Sequence, residues 1–398
     1  MIGLLKQALS LCVLLLALPL QAIAQNNSSA LSETQRAEMF ARAYEKATAS
    51  HNPLADKNDT FSQFNLGSMY ELGQGVPQNH QEALKWYRRA AEQGDAAAQF
   101  LLGLAYELGQ DVPQDYQEAV RWYRLAAVQG DVSAQLMLGV MYDKGQGVTQ
   151  DYQESLSWYQ GAAKQGNANA AYLLGTMYST GHGVQQSSKE AAKWERMAAE
   201  HGVAAAQVIL GLRYAMGQGV RQDQKEAVKW YRLAAERGNV DGQFNLGLMY
   251  DTGQGVSQDY SAAAKWYRLA AEQGDADGQF NTGLMHEIGQ GVPQDFNAAV
   301  KWYRLAAEQG NASAQLNLGL LYLHGQGVPM DYVLAHMWAN IALDHATDTD
   351  VQQKSNKLHS LSASLMTPQQ IVQAGEQAKK CVAQKLKGCQ ADLLLLHN

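Results

Sequence analysis

Few residues of the 398-residue chain have types and spacing that could carry chemistry. Cys381 and Cys389 form a C-x7-C pair, which suits one disulfide or two free thiols and matches no common zinc knuckle. His336 and His345 stand on or near one helical pattern, but without the i, i+4 spacing of a zinc helix such as H-E-x-x-H. Recurrent G-x-G-V loops could suggest phosphate cradling, yet each joins two helical patterns, whereas a dinucleotide site needs a preceding strand. A G-x-S-x-G nucleophile elbow is absent from the sequence. These readings predict no catalytic centre, no metal and no cofactor, and they cast the glycines as turn formers.

Those residues belong to a repeat. The ten letters KWYRLAAEQG stand at 265–274 and again at 301–310. The same 36-residue step links Gly67, Gly103, Gly139, Gly175, Gly211, Gly247, Gly283 and Gly319 without insertion or deletion. It also links all eight tryptophans, from Trp86 and Trp122 to Trp302 and Trp338. Four glycine columns, represented by Gly67, Gly73, Gly75 and Gly94, hold 30 of the 36 glycines, so glycine abundance is architectural.

One repeat, residues 95–130, shows what the period encodes. Good helix formers run from Ala96 to about Leu108, with Ala98, Leu102 and Tyr106 on one face. A Gly- and Pro-containing loop ends at Asp115, an N-cap, with Glu118 three places on as a capping box. The box recurs as Asn79 with Glu82, Asp151 with Glu154, Ser187 with Glu190, and Asp223 with Glu226. A second helix then starts near 116 and stops at Gly130, where a left-handed residue is wanted. A glycine inside a helix costs up to about 1 kcal/mol relative to alanine, so the Gly67 column needs a packing reason. Close approach of a second helix supplies one, with Ala83, Ala119 and their equivalents making the same allowance and the Trp and Tyr rings expected to fill the space between repeats. The tryptophans are read as packing elements.

The ends differ. Residues 1–24 carry Lys6, an apolar run and Ala22-Ile23-Ala24, the pattern of a secretory signal. An exported, periplasmic chain is expected, with the medium or the cell surface as further possibilities and no membrane span after cleavage. In that setting a Cys381–Cys389 bond would contribute roughly 2–3 kcal/mol by loop closure. Residues 32–48 read as one amphipathic helix started by Ser32 and Gln35, a cap for the first hairpin within 25–58. Thr367-Pro368 marks another helix start within a C-terminal cap at 347–398. With 31 basic against 38 acidic residues and no basic cluster in the repeats, a nucleic-acid surface is not expected.

The pattern A-x-A-Q-x-x-L-G-x-x-Y, a G-x-G-V loop, then D-x-x-x-A-x-x-W-Y-x-x-A-A-x-x-G resembles the Sel-one-like repeat family, relatives of the tetratricopeptide repeats, over residues 59–346. DYVLAHMW and the segment from Met366 to Cys389 resemble the terminal segments of exported bacterial members. Asp111 replaces a loop glycine, Ser155 a helix alanine, Glu195 and Ala339 the tyrosine after tryptophan, and His286 the first-helix tyrosine. Repeats four and seven are therefore expected to pack less regularly. The resemblance implies an all-α superhelical solenoid of eight helix-turn-helix repeats, acting as a non-enzymatic scaffold that binds a protein or peptide in a concave groove lined by the first helices. Aligned on L-G-x-x-Y, the groove positions are Phe64, Asn65, Ser68 and Glu71. Their columns continue as Phe100, Tyr172, Phe244 and Phe280, as Asn245, Asn281 and Asn317, and as Glu107, Asp143, Asp251 and Glu287. Amides can pair with an extended backbone, aromatics can hold side chains, and the acids favour a neutral or basic partner. Two alternatives stay open: the aromatics pack inside the hairpins, with the acids merely solvated, or the solenoid is a spacer in an envelope assembly. Some cysteine-rich relatives bind or hydrolyse β-lactams, but they carry a cysteine pair in each repeat and these repeats carry none.

Overall fold

A computed structural model describes residues 59–384 except 75, together with 386 and 389. The signal segment and the N-terminal capping helix expected at 32–48 lie outside the described residues. The chain divides into two compact units, one ending at Gln186 and one beginning at Ser187. Among the described residues there are 18 helices and no strand.

The first unit contains α1 (Thr60–Leu72), α2 (His80–Glu92), α3 (Ala96–Leu108), α4 (Tyr116–Val128), α5 (Val132–Lys144), α6 (Tyr152–Lys164) and α7 (Ala168–Thr180). The second contains α8 (Ser188–Glu200), α9 (Ala204–Met216), α10 (Gln224–Glu236), α11 (Val240–Thr252), α12 (Tyr260–Glu272), α13 (Ala276–Ile288), α14 (Phe296–Glu308), α15 (Ala312–His324), α16 (Tyr332–His345), α17 (Thr349–Ser364) and α18 (Pro368–Ala383). Within each unit every helix packs on the next in sequence, up to α17; α18 packs back on α16. The odd-numbered repeat helices of the first unit and of α9–α15 are the A helices, and the others the B helices. All helices before α16 have 13 residues, so the substitutions at Glu195 and His286 leave helix length in repeats four and seven unchanged.

Caps set these bounds. Asp95 Oδ1 accepts from the Ala98 amide at 2.7 Å, and Asp115 Oδ1 from the amides of Gln117 and Glu118. Such caps stabilise a helix by about 1 kcal/mol each. The B helices from α2 to α14 close with paired bonds such as Gly130 N to Ala127 O and Asp131 N to Ala126 O, with Gly130 at φ 93°. Only half of the expected capping box forms in the repeats. Glu82, Glu118, Glu190 and Glu226 turn instead to a base three residues on, Lys85, Arg121, Lys193 and Lys229 respectively. The reciprocal box forms at Thr367 and Gln370, where no such base competes.

The packing glycine has a specific partner. A Cβ on Gly103 would lie 2.7 Å from Cδ1 of Tyr123, and Gly67 and Tyr87, Gly211 and Tyr231, and Gly283 and Tyr303 repeat that geometry. The tyrosine therefore fills its own hairpin, not the space between repeats; the tryptophan takes that space, as Trp122 does in one buried cluster with Phe64, Tyr87 and Ala91 of the preceding hairpin. The tyrosine hydroxyl is also bonded to the A helix: Tyr123 donates to Glu107 at 2.6 Å, Tyr267 to Asp251 at 3.3 Å and Tyr303 to Glu287 at 2.5 Å.

Polar ladders join hairpin to hairpin. Gln99 donates to Ala91 O of the preceding B helix at 3.0 Å and accepts from Gln129 at 2.8 Å; Gln279 bonds likewise to Ala271 O and Gln309. Arg88 reaches Tyr106 of the next A helix at 2.7 Å, and Arg196 reaches Tyr214 at 2.6 Å. At two sites the slot is filled differently. Glu195, in the tyrosine column, is 2% exposed and forms a two-pronged ion pair with Arg213, whose Nη2 lies 2.8 Å from Oε1. At the C-terminal end Ala339 leaves the Gly319 slot to Leu358 of α17, whose Cδ2 would meet an added Cβ at 2.7 Å.

Arg213→Met alone strands a buried carboxylate and is expected to cost about 3–5 kcal/mol, whereas Glu195→Tyr with Arg213→Met is expected to be neutral or stabilising by about 1–4 kcal/mol. Urea and thermal unfolding of the two variants measures both. A second test concerns Glu107, whose carboxyl is pushed up by burial, with the Tyr123 bond opposing. A raised folded-state value favours folding while the acid is protonated, and that advantage is lost as pH rises through the folded-state value. Glu107→Gln keeps an acceptor for Tyr123 and does not titrate. Its melting temperature relative to the parent is expected to climb by on the order of 1 °C between pH 4 and pH 7, read by circular dichroism melts across that range.

Candidate interaction surface

The proposed groove residues divide into two groups. Phe64 is buried, with its ring 5.7 Å from that of Tyr87; Phe100, Phe244 and Phe280 are half-buried and tilt against Tyr123, Tyr267 and Tyr303 at 5.7–5.8 Å. Tyr172 is half-buried at the equivalent place. The aromatic column thus meets the same tyrosine that fills the glycine slot, three residues along the A helix. Glu107, Asp251 and Glu287 accept that tyrosine's hydroxyl, and Asp143 is half-buried. Burial raises the Asp251 carboxyl as it does Glu107.

The second group faces out. Asn65, Asn245, Asn281 and Asn317 are half-buried, each one residue beyond the aromatic column on its A helix. Asn245 and Asn281 donate from Nδ2 to the carbonyls of Asp241 and Asp277 at 2.8 and 2.9 Å, and Asn317 donates to Tyr303 Oη at 3.0 Å. Along the same stripe of the second unit lie Leu212, Met216, Leu248 and Ile288, exposed by 44, 59, 39 and 52%. Alignment on L-G-x-x-Y singles out the aromatic column and not this apolar one. The signal was present: Leu212 and Leu248 sit where Ser68 and Thr176 stand in other repeats, so no packing rule demands leucine there.

The histidines part company. His336 is buried against the cap, its Nδ1 3.0 Å from Ser362 Oγ and its ring 4.1 Å from that of His359; burial, then the neighbouring His359, lowers its pKa. His345 joins the glutamine ladder through Gln315 at 3.0 Å. Among the described residues no group of three or more potential metal-ligating side chains occurs. No helix among them is long and apolar enough to cross a membrane. Cys381 and Cys389 are placed with Cα atoms 5.0 Å apart, a separation that a disulfide spans. A small open hollow in the first unit is lined by His80, Glu71, Tyr87 and Asp111, with His80 Nδ1 3.1 Å from Glu71. Asp111 keeps the left-handed backbone of the glycine it replaces, at φ 60°.

No protein of curated function matches the chain. Among solved structures, a Sel1 repeat protein from Oxalobacter formigenes is 36% identical, with 78% of this chain and 90% of that chain covered and a TM-score of 0.60. The protective antigen c5321 of uropathogenic Escherichia coli, which displays an SLR fold, is 31% identical over 94% of this chain and 92% of that one, with a TM-score of 0.45. The family model of the Sel1 repeat matches residues 60–95, 96–131, 132–167, 168–203, 204–239, 240–275, 276–311 and 312–345. Eight consecutive matches, each spanning two consecutive helices, show that the chain belongs to the Sel1 repeat family, all-α solenoids whose typical role is protein–protein interaction.

Proposed function

We propose that the chain is an exported, non-enzymatic scaffold of the bacterial envelope that holds a protein or peptide partner on the outer face of its A helices. The observation that carries this reading is the apolar stripe at Leu212, Met216, Leu248 and Ile288, set beside Asn245 and Asn281, whose amide oxygens have no bond among the described residues. Solvated leucine, methionine and isoleucine at corresponding positions of neighbouring hairpins form the kind of surface that association buries. The aromatic column is engaged inside the hairpins, so its part is to hold the A helix in place for that face. Acidic residues outnumber bases on the face, which favours a neutral or basic partner and disfavours nucleic acid. Export is supported by Lys6, the apolar run and Ala22-Ile23-Ala24. An oxidising compartment would let Cys381 and Cys389 close as a disulfide on the terminal cap.

Crosslinked capture from the envelope fraction, with mass-spectrometric identification, tests the scaffold reading. A specific protein is expected to be recovered with the parent chain and lost with Leu212→Ser, Met216→Ser and Leu248→Ser combined. It is expected to be retained with Leu125→Ser and Leu233→Ser on the B helices. Equal capture by both variants overturns the assignment of the face, and recovery of an uncleaved chain in the cytoplasm overturns export.

A further inference from the structure

The scaffold reading leaves the partner's chemistry open, and two A helices of the second unit narrow it. The outward positions of α11 are Asp241, Asn245, Leu248 and Thr252, and those of α13 are Asp277, Asn281, Leu284 and Ile288. The spacing i, i+4, i+7, i+11 puts each set on one face. Asp241 and Asp277 are exposed, and neither takes part in an ion pair. Asp277 Oδ1 accepts from Asn311 Nδ2 at 2.9 Å, which ties the start of α13 to that of α15. Between these two acids stands Asp275, whose carboxyl is pushed up first by burial and also by the charges of Asp277 and Asp241. Three carboxylates thus share one field. The four outward positions carry no lysine or arginine on α9, α11, α13 or α15.

Along the face the chemistry changes in order. After the acids come the amides of Asn245 and Asn281, their nitrogens already donated and their oxygens free to accept. Next come Leu248 and, one turn further on the neighbouring A helix, Ile288. Beside these stand Asp251 and Glu287, a second acidic row. At 1.5 Å per residue the first acidic row lies about 10 Å from the leucines, the span of about three residues of extended chain.

We propose that this face of α11 and α13 reads an extended segment in which a large apolar side chain is flanked by lysine or arginine about three residues away. The apolar side chain sits on Leu248, Leu284 and Ile288, the bases meet the two acidic rows, and the asparagine oxygens accept the segment's backbone N–H groups. This inference rests on the scaffold reading and adds the partner's charge pattern to it.

The probe is an acetylated, amidated heptapeptide with leucine at its centre, lysine three residues to either side and serine elsewhere, which is insensitive to chain direction. Fluorescence anisotropy with the chain as isolated from cells is expected to show binding that weakens with salt. Glutamate in place of both lysines is expected to abolish it, and serine in place of leucine to weaken it. Asp241→Asn with Asp277→Asn preserves the acceptor for Asn311, leaves the Asp275 cap untouched, and is expected to weaken binding about tenfold and flatten its salt dependence. Helical circular dichroism checks that the fold is intact. The inference is overturned if the lysine and glutamate peptides bind alike, if neither binds, or if the double variant binds as the parent does. If native-partner capture still depends on Leu212 and Leu248 in those cases, the scaffold reading stands and only the charge pattern fails.

Discussion

A tyrosine ring lying where a glycine has no side chain is the contact on which six of the eight repeats depend. Gly103 and Tyr123, and their equivalents along the chain, leave no room for even one methyl group. The contact fixes how the A and B helices cross, and with it the place of everything else on the A helix. One residue three positions before the glycine becomes the aromatic that tilts on the tyrosine, and one four positions after it becomes the acid that accepts the tyrosine's hydroxyl. Because one ring organises three neighbours, a change at any one column presses on the others. That coupling explains why the period keeps to 36 residues throughout the eight repeats.

The exceptions obey the same logic. Where Glu195 replaces the tyrosine, a carboxylate enters a site built for a ring, and it is accompanied by Arg213 in a column held elsewhere by Met69, Met141, Met177, Met249 and Met285, with Ala105 and Leu321. A buried charge without its counterion would be far more costly than either substitution made together with the other. Where Ala339 replaces the tyrosine, the vacated slot is taken by Leu358 from the cap, which fastens the last hairpin to α17. The solenoid ends where the ring runs out and a helix from outside the repeat supplies the missing side chain. Among the described residues, its terminal layer is the one place where a slot is filled from beyond the period.

Much of this was legible in the sequence. Caps and glycines gave α3 and α4 nearly to the residue, because N-cap acceptors and left-handed glycines act locally. The division of labour within a hairpin was harder to read. Periodicity says that Tyr123 and Trp122 are both buried, but not that one ring turns inward to its own glycine and the other sideways to the preceding hairpin. Phe64 and Glu107 were read as groove residues for a related reason: an aromatic and an acid on an A helix look available until the tyrosine partner across the hairpin is known. The Glu195–Arg213 pair was half visible, since Glu195 stood out from its column, yet its meaning lay in a second departure 18 residues on.

What the packing does not claim is what remains for recognition. On the A helices the columns of Gly67, Tyr70 and Phe64 are occupied by contacts within and between hairpins, which leaves them mostly glycine, tyrosine and large apolar side chains. The Ser68 column varies more widely, with Thr176, Leu212 and Leu248 exposed while Leu104 at the same position is buried in the core. In the second unit that freedom has produced acids, amides and exposed aliphatic side chains in a fixed order along α11 and α13. Equal spacing of identical hairpins then turns a choice made one residue at a time into a surface. The rigid ring-in-glycine contact is therefore also what allows the recognition chemistry to be independent of the fold, because it holds each outward side chain at a place set by its neighbours and not by its own identity.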